Sequence, residues 1–420
     1  KFSQPERYSK IRLPHIHSWA PVYFNYDNVE SISGDDYYKT ASLGATAMFQ
    51  NLLSTGYGMV GYGAHEDPYK DGDWRHSGHF KYIFTGLWPV IEFSADFNDR
   101  AAMDIQKIQV SKGKMYRLYN KGTLTDKPYF EGGLKVYIPF NFSSGGINRG
   151  LIPQVKYKFT NDRYNDQILF QHIVKKDGKD VTETYSTIGE NNISPLQTLD
   201  ASIRGYVMRQ KAPSQVFPSL GFGAELGFHF RPGHMKAYNP TAYLYTYGYL
   251  PGFTARQGLR LTASMEVWYG PYEEGGIMEG ALTAIPRGFV DTNLKSIINS
   301  CSESRWRVTA DYAIPFADVD WSFLSPVAYV KNFELTPFFD WSYQTFSWNH
   351  ELHYNPGAVT GENLFSVGAD LTVRLGNFFW LPYDTQIGIR YARNFWHYID
   401  RFPISNLNKD YIGWIFSISL

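Results

Sequence analysis

The chain is dominated by runs in which apolar and polar side chains alternate, and that alternation limits its fold more than any motif does. "LGFGAELGFHF" sets Leu220, Phe222, Ala224, Leu226, Phe228 and Phe230 against Gly221, Gly223, Glu225, Gly227 and His229. "LFSVGADLTVRL" sets Phe365, Val367, Ala369, Leu371, Val373 and Leu375 against Ser366, Gly368, Asp370, Thr372 and Arg374. "VIEFSADF" and "LKVYIPFNF" follow the same rule. Successive side chains of a strand point to opposite faces, so each run is a strand with one greasy face and one wet face. Several runs cover nine to twelve residues, longer than the usual strand of about 5–6. Helical periodicity is nearly absent; "DTNLKSIINSC" is too short and loop-like to outweigh the strands.

Two architectures accommodate long alternating strands. A soluble sandwich or propeller buries the greasy faces against one another, but no repeat of propeller length is present. A transmembrane barrel turns the greasy face to lipid and lines its lumen with charge, glycine and water. The 32 Tyr, 30 Phe and 11 Trp suit the aromatic girdles of such a barrel. Segments such as "GAHEDPYKDGDW" and "KKDGKDVTETYSTIGENN" suit long surface loops, and "FRPG" suits a tight turn. The expectation is an all-β transmembrane antiparallel barrel with long extracellular loops. At about 25 residues per strand and connection it has roughly 16 strands.

No stretch approaches the 18 apolar residues of a membrane-spanning helix, and mean hydropathy is −0.35. Neither value bears against a barrel, whose strands need only about 9–11 residues and are half wet. Forty basic and forty acidic residues cancel, which argues against nucleic acid and against electrostatic capture by an anionic surface. With Cys301 the one cysteine, neither an internal disulfide nor a zinc–cysteine cluster can form. "KFSQPERYSK" carries no signal peptide, as a mature form or a fragment would not.

The terminal run "YIGWIFSISL" places Ile412, Trp414, Phe416, Ile418 and Leu420 on one face, with Ile415 out of phase. A greasy last strand at a sheet edge invites aggregation. In a barrel that face meets lipid, and the last strand pairs with the first.

Arg287, Gly288 and Phe289 form "RGF" in a loop between the strands "LRLTASMEV" and "RWRVTADYAI". There follow "VTADYAIPF", "FELTPFFDWSYQT", "LFSVGADLTVRL" and "QIGIRYA". This order resembles the C-terminal half of the bacterial surface antigen superfamily, the outer-membrane protein assembly barrels of the BamA and TamA type and the two-partner secretion pores. In that family an Arg-Gly-Phe or Arg-Gly-Tyr motif sits on an inward-folded loop. The resemblance matches Tyr312, Pro315 and Phe316 to the strand after the loop. It matches Phe339 and Asp340 to an aspartate strand, and Ser366, Val367 and Gly368 to the next. Parity independently turns Asp340 inward with Glu334 and Thr336, opposite Leu335, Phe339 and Trp341, and turns Asp370 inward as well. Asp340 and Asp370 are therefore the expected lumenal partners of Arg287, in charge-assisted, bidentate geometry, and Gly288 allows close backbone approach.

Family members that insert or secrete proteins carry POTRA repeats ahead of the barrel; this chain spends its length on strands. "YSKIRLPHIHSWAPVYFNYDN" resembles the junction at which, in Bacteroidota, such a barrel follows a TolB-like propeller. The expected division is a periplasmic lead-in over residues 1–30 and the barrel over 31–420.

His15 and His17 in "PHIHSW" and His76 and His79 in "HSGH" lack the cysteine or paired carboxylate of a metal motif, and read as interface or loop residues. Glu92, Asp96, Glu131 and Glu225 read as lumen-lining charge. No Gly-x-Ser-x-Gly elbow stands out. The expectations are no enzyme activity, no metal and no cofactor. The resemblance implies protein translocation or outer-membrane assembly within an envelope complex, in a Gram-negative outer membrane with its lipopolysaccharide, with one or more protein partners. A passive nutrient channel and a structural anchor for a periplasmic domain are the alternatives.

Overall fold

The computed structural model describes residues 15–24, 32–33, 41–66, 74–98, 105–110, 114–119, 128, 130–161, 168–176, 179–186, 196–212, 214–232, 240–268, 285–289, 302–323, 325, 327–346, 360–377, 384–396 and 408–419. "DTNLKSIINSC", Cys301 and the middle of "GAHEDPYKDGDW" lie outside them, whereas "KKDGKDVTETYSTIGENN", read as a loop, contains the strand Lys179–Ser186.

One antiparallel sheet of eighteen strands carries the fold, and two of these have only two residues each, Ile32–Ser33 and Phe140–Asn141. The sixteen others are β1 (His15–Phe24), β2 (Ala41–Gln50), β3 (Gly56–Glu66), β4 (Trp74–Phe84), β5 (Val90–Phe97), β6 (Phe130–Tyr137), β7 (Ile147–Thr160) and β8 (Leu196–Arg209), then β9 (Gly221–Phe230), β10 (Thr241–Pro251), β11 (Gly258–Trp268), β12 (Ser302–Trp321), β13 (Tyr329–Phe346), β14 (Thr360–Gly376), β15 (Asp384–Trp396) and β16 (Asp410–Ser419). Each pairs antiparallel with its neighbour in sequence. The number agrees with the expectation from chain length.

The faces are inverted relative to a soluble protein. On β13, Glu334, Thr336, Asp340, Ser342 and Gln344 are buried, whereas the alternating Leu335 and Phe339 are exposed. On β14, Glu362, Ser366, Asp370, Thr372 and Arg374 are buried while Val367 and Leu371 are exposed. Phe222 and Leu226 on β9 are likewise exposed. Carboxylates are rarely buried in a water-soluble domain, and a sheet with an apolar outside and a polar inside is the signature of a barrel in lipid. Closed barrels satisfy every backbone group without water, which is what the bilayer core demands.

Connections on one end are short. In 51–55, Asn51 Oδ1 accepts from Thr55 N (2.9 Å) and its amide donates to Thr55 Oγ1 (2.8 Å), bridging the turn. That end also holds the start of β1 and the finish of β16, because His15 pairs with Gln50 and Ser419 with Asp384. The connections of more than eleven residues all fall at the opposite end. Two of them supply a separate four-stranded sheet of Ile105–Val110, Lys114–Tyr119, Ile168–Lys176 and Lys179–Ser186.

Two details depart from the sequence reading. The stretch 1–30, read as a lead-in, contains the first strand: β1 pairs with β2 from His15 to Phe24. The closure of the sheet also differs. β16 pairs with β15 at ten positions, and its other edge meets not β1 but Ile32 and Ser33, opposite Phe416 and Ile415. Among the described residues this two-residue ladder is all that joins the last strand to the N-terminal segment. Ile412 and Trp414 are strongly exposed on the outer face and Ile415 is buried, so the out-of-phase residue points inward. The side chains of Phe416, Ile418 and Leu420 lie outside the described residues.

Candidate functional site

The wall β12–β15 presents many buried lumenal polar groups, and residues 285–289 lie against it. Pro286 to Phe289 close a turn, Phe289 N donating to Pro286 O at 3.0 Å. From this turn Arg287 reaches Asp340 on β13 three times. Its Nε and Nη2 donate to Oδ2 (2.9 Å) and Oδ1 (2.7 Å), and its backbone N–H donates to Oδ2 (2.9 Å). The planar guanidinium fork matches a carboxylate, so this pair fixes orientation as well as distance.

The second carboxylate on Arg287 is Asp311 of β12, whose Oδ1 lies 2.6 Å from Nη2 in a close ion contact. Asp370, the residue expected in that role, takes Arg390 of β15 instead, in a bidentate pair of 2.7 and 2.8 Å. The reason is register: Asp370 faces Arg390 directly across β14 and β15, so its fork is filled within the sheet. Asp311 was visible in "VTADYAIPF", where alternation groups it with Arg305, Arg307 and Thr309. The arrangement continues on both sides. Arg307 Nη2 donates to Asp340 Oδ2 (3.3 Å), and Arg260 of β11 donates twice to Asp311 Oδ2 (3.0 and 2.8 Å). Basic and acidic groups thus alternate along the wall: Arg307, Asp340, Arg287, Asp311, Arg260.

Phe338 lies beneath this chain of charges. Its ring centroid is 4.0 Å from the Arg287 guanidinium carbon and 5.5 Å from that of Arg390, cation–π distances both. Gly368 makes room for the ring: a Cβ there would stand 2.8 Å from Phe338 Cζ and 2.0 Å from Tyr391 O.

Gly288 is seated as closely. A Cβ would meet Asn394 Oδ1 at 2.1 Å, Ser366 Oγ at 2.7 Å and Ala392 Cβ at 2.9 Å. Asn394 Nδ2 donates to Gly288 O (2.8 Å) and to Asn408 O (3.1 Å), tying the turn to β15 and to the approach to β16. Phe289 is buried and meets Trp396 edge-on, with centroids 6.1 Å apart. Burial disfavours the Arg287 charge, but the hydrogen bond to Asp340 and the field of Asp311 outweigh it and hold its pKa above the usual arginine value.

The remaining residues singled out in the sequence fall on strands. Glu92 pairs with Lys81 (3.1 Å), Glu131 with Lys158, Asp96 with His79, and Glu225 with Arg204. His76 and His79 are in β4 and His15 and His17 in β1, not in loops. No group of three metal-binding side chains occurs among the described residues.

No family model and no curated protein matches the chain. Among solved structures it is similar to CdiB from Escherichia coli, with a TM-score of 0.48 and 10% identity over 93% of this chain and 61% of that one. It is also similar to BamA from Haemophilus ducreyi lacking POTRA domains 1–3 (TM-score 0.39, 10% identity, covering 92% and 68%). A third likeness is to OccK10 from Pseudomonas aeruginosa (0.31, 12%, covering 97% and 99%). The chain thus spans about three-fifths of the CdiB chain. By its own inverted faces and strand pairing, the chain is an outer-membrane β-barrel with an arginine-centred turn held against its lumenal wall.

Proposed function

We propose that this barrel passes or inserts protein at the outer membrane as one component of an envelope complex, and that the turn 285–289 controls its lumen. The observation that carries the reading is the seat of Arg287 between Asp340 and Asp311, in a turn whose motif order resembles the surface antigen superfamily. A wall built only for ion selectivity has no need of a backbone turn bonded three times to one carboxylate. A passive channel is the second reading, favoured by the half-exposed lumenal residues of β8 and β10.

Single-channel conductance in planar bilayers separates the two. The proposal expects low, flickering current from the parent that rises sharply in Arg287→Ala. Large, steady current from the parent, unchanged in the variant, would establish a passive pore.

A further inference from the structure

The lumen is lined unevenly. On the β12–β15 side Asp340, Ser342, Gln344 and Glu362 are fully covered, whereas on β10 Tyr243, Tyr245, Tyr247 and Tyr249 are each half exposed. These four tyrosines share the lumenal face of one strand, alternating with the lipid-facing Leu244 and Leu250. At the rise of a strand they extend over about 20 Å. Consecutive rings touch: the centroids of Tyr245 and Tyr247 are 5.8 Å apart, as are those of Tyr247 and Tyr249.

Glycines on the neighbouring strand set how these rings lie. Tyr247 faces Gly223 and Tyr243 faces Gly227 across the β9–β10 ladder. A Cβ at Gly223 would stand 2.2 Å from Tyr247 Cζ, and one at Gly227 would stand 2.0 Å from Tyr243 Cζ. The rings therefore rest on bare backbone, in space that any other residue would fill. Tyr206 on β8 does the same over Gly150 of β7, where a Cβ would be 2.5 Å from its Cζ.

Charges beside the tyrosines are matched in pairs. Glu225 accepts from Arg204 and from the Tyr243 hydroxyl (2.7 Å), Asp200 bonds His229, and Asp311 pairs with Arg260. The surface offers aromatic faces beside polar groups that are already hydrogen-bonded to one another.

We propose that this wall is a binding track for a neutral, linear oligosaccharide. Sugar rings present flat C–H faces that stack on aromatic rings, and their hydroxyls pair with carboxylate and guanidinium groups at the rim. A charged peptide would gain nothing from charges already neutralised. Tyr245 and Tyr247 lie on β10 and the loop contacts lie on β12–β15; the two sites share Asp311, which holds both Arg287 and the Arg260 beside Tyr249.

The test is isothermal titration calorimetry of the full chain in detergent with maltohexaose and cellohexaose, against their disaccharides, hexalysine, hexaglutamate and a neutral Gly/Ser hexapeptide. One of the hexasaccharides should bind more tightly than its disaccharide and than every peptide. Tyr245→Ala/Tyr247→Ala should weaken it about tenfold, the effect of losing two stacked rings. Tyr247→Phe, which keeps the ring, should stay within about twofold. Heat-modifiable migration in gels confirms that each variant is folded. Absence of hexasaccharide binding by the folded parent, equal binding by the double variant, or tighter binding of a peptide would overturn the proposal. Arg287→Ala leaves the Tyr245 and Tyr247 rings in place, so the tyrosine variants, read by hexasaccharide affinity, and the arginine variant, read by conductance, fail separately.

Discussion

Removing the Arg287 side chain should release the turn, by an amount that the neighbouring charges limit. Taking one partner from a buried ion pair commonly costs about 3–5 kcal/mol, because the other charge is left without compensation. Here neither carboxylate is wholly abandoned: Asp340 keeps Arg307 at 3.3 Å, and Asp311 keeps both bonds from Arg260. The expected loss therefore falls below that range, at about 2–3 kcal/mol, and corresponds to roughly 30- to 150-fold in the opening equilibrium of the turn. Native-state hydrogen exchange reads that equilibrium directly. In the parent, Arg287 N–H is bonded to Asp340 and Phe289 N–H to Pro286 O, so both amides are protected. In Arg287→Ala they should exchange faster by the stated factor, while strand amides in β9 and β10 are unmoved. Protection that changes by less than about threefold would mean that Asn394 and Phe289 hold the turn, and that the arginine does not pin it.

Gly288→Ala should displace the same turn with the arginine intact, because its Cβ would stand 2.1 Å from Asn394 Oδ1; faster exchange at Phe289 would show it. Asp311→Asn should loosen the turn more than Asp370→Asn does, since Asp370 is bonded to Arg390; the reverse order in the same exchange assay would restore Asp370 as the loop's partner. On the outer face, Leu226→Arg should cost about 2–4 kcal/mol in urea unfolding from lipid vesicles, the depth-dependent penalty of a charge at mid-bilayer. A loss below about 0.5 kcal/mol would place Leu226 away from lipid.

How much of this was legible in the sequence depended on the range of the interaction. Period-two alternation is local, so the strands and their inward and outward faces could be read from runs such as those ending at Phe230 and Leu375, and chain length alone gave the number of long strands. Leu375 nonetheless proves to be buried although its parity is outward, which alternation cannot register. The partner of Arg287 was a matter of register between strands. Asp311 and Asp370 have the same parity and similar surroundings, and only the pairing of Asp370 with Arg390 decides between them. The placement of β1 was missed because 1–30 was judged by its resemblance to a junction, whereas "HIHSWAPVYF" is long enough to be a strand. The seam was expected between the last strand and the first, but its partner residues could not be read, since the pairing of Phe416 with Ile32 joins positions at opposite ends of the chain.

The central claim, that residues 285–289 dock on the lumenal wall, is tested most directly by a disulfide between the turn and β15. A Cβ at Gly288 stands 2.1 Å from Asn394 Oδ1, which keeps the two Cβ atoms within about 4.5 Å, the upper end of disulfide geometry. With Cys301→Ser as background, Gly288→Cys/Asn394→Cys should oxidise readily in native outer membranes and shift gel mobility until reduced. Ile203→Cys/Leu226→Cys, paired across β8 and β9, serves as the control for oxidation. Failure of the loop pair to close while the control closes fully would contradict the docked turn.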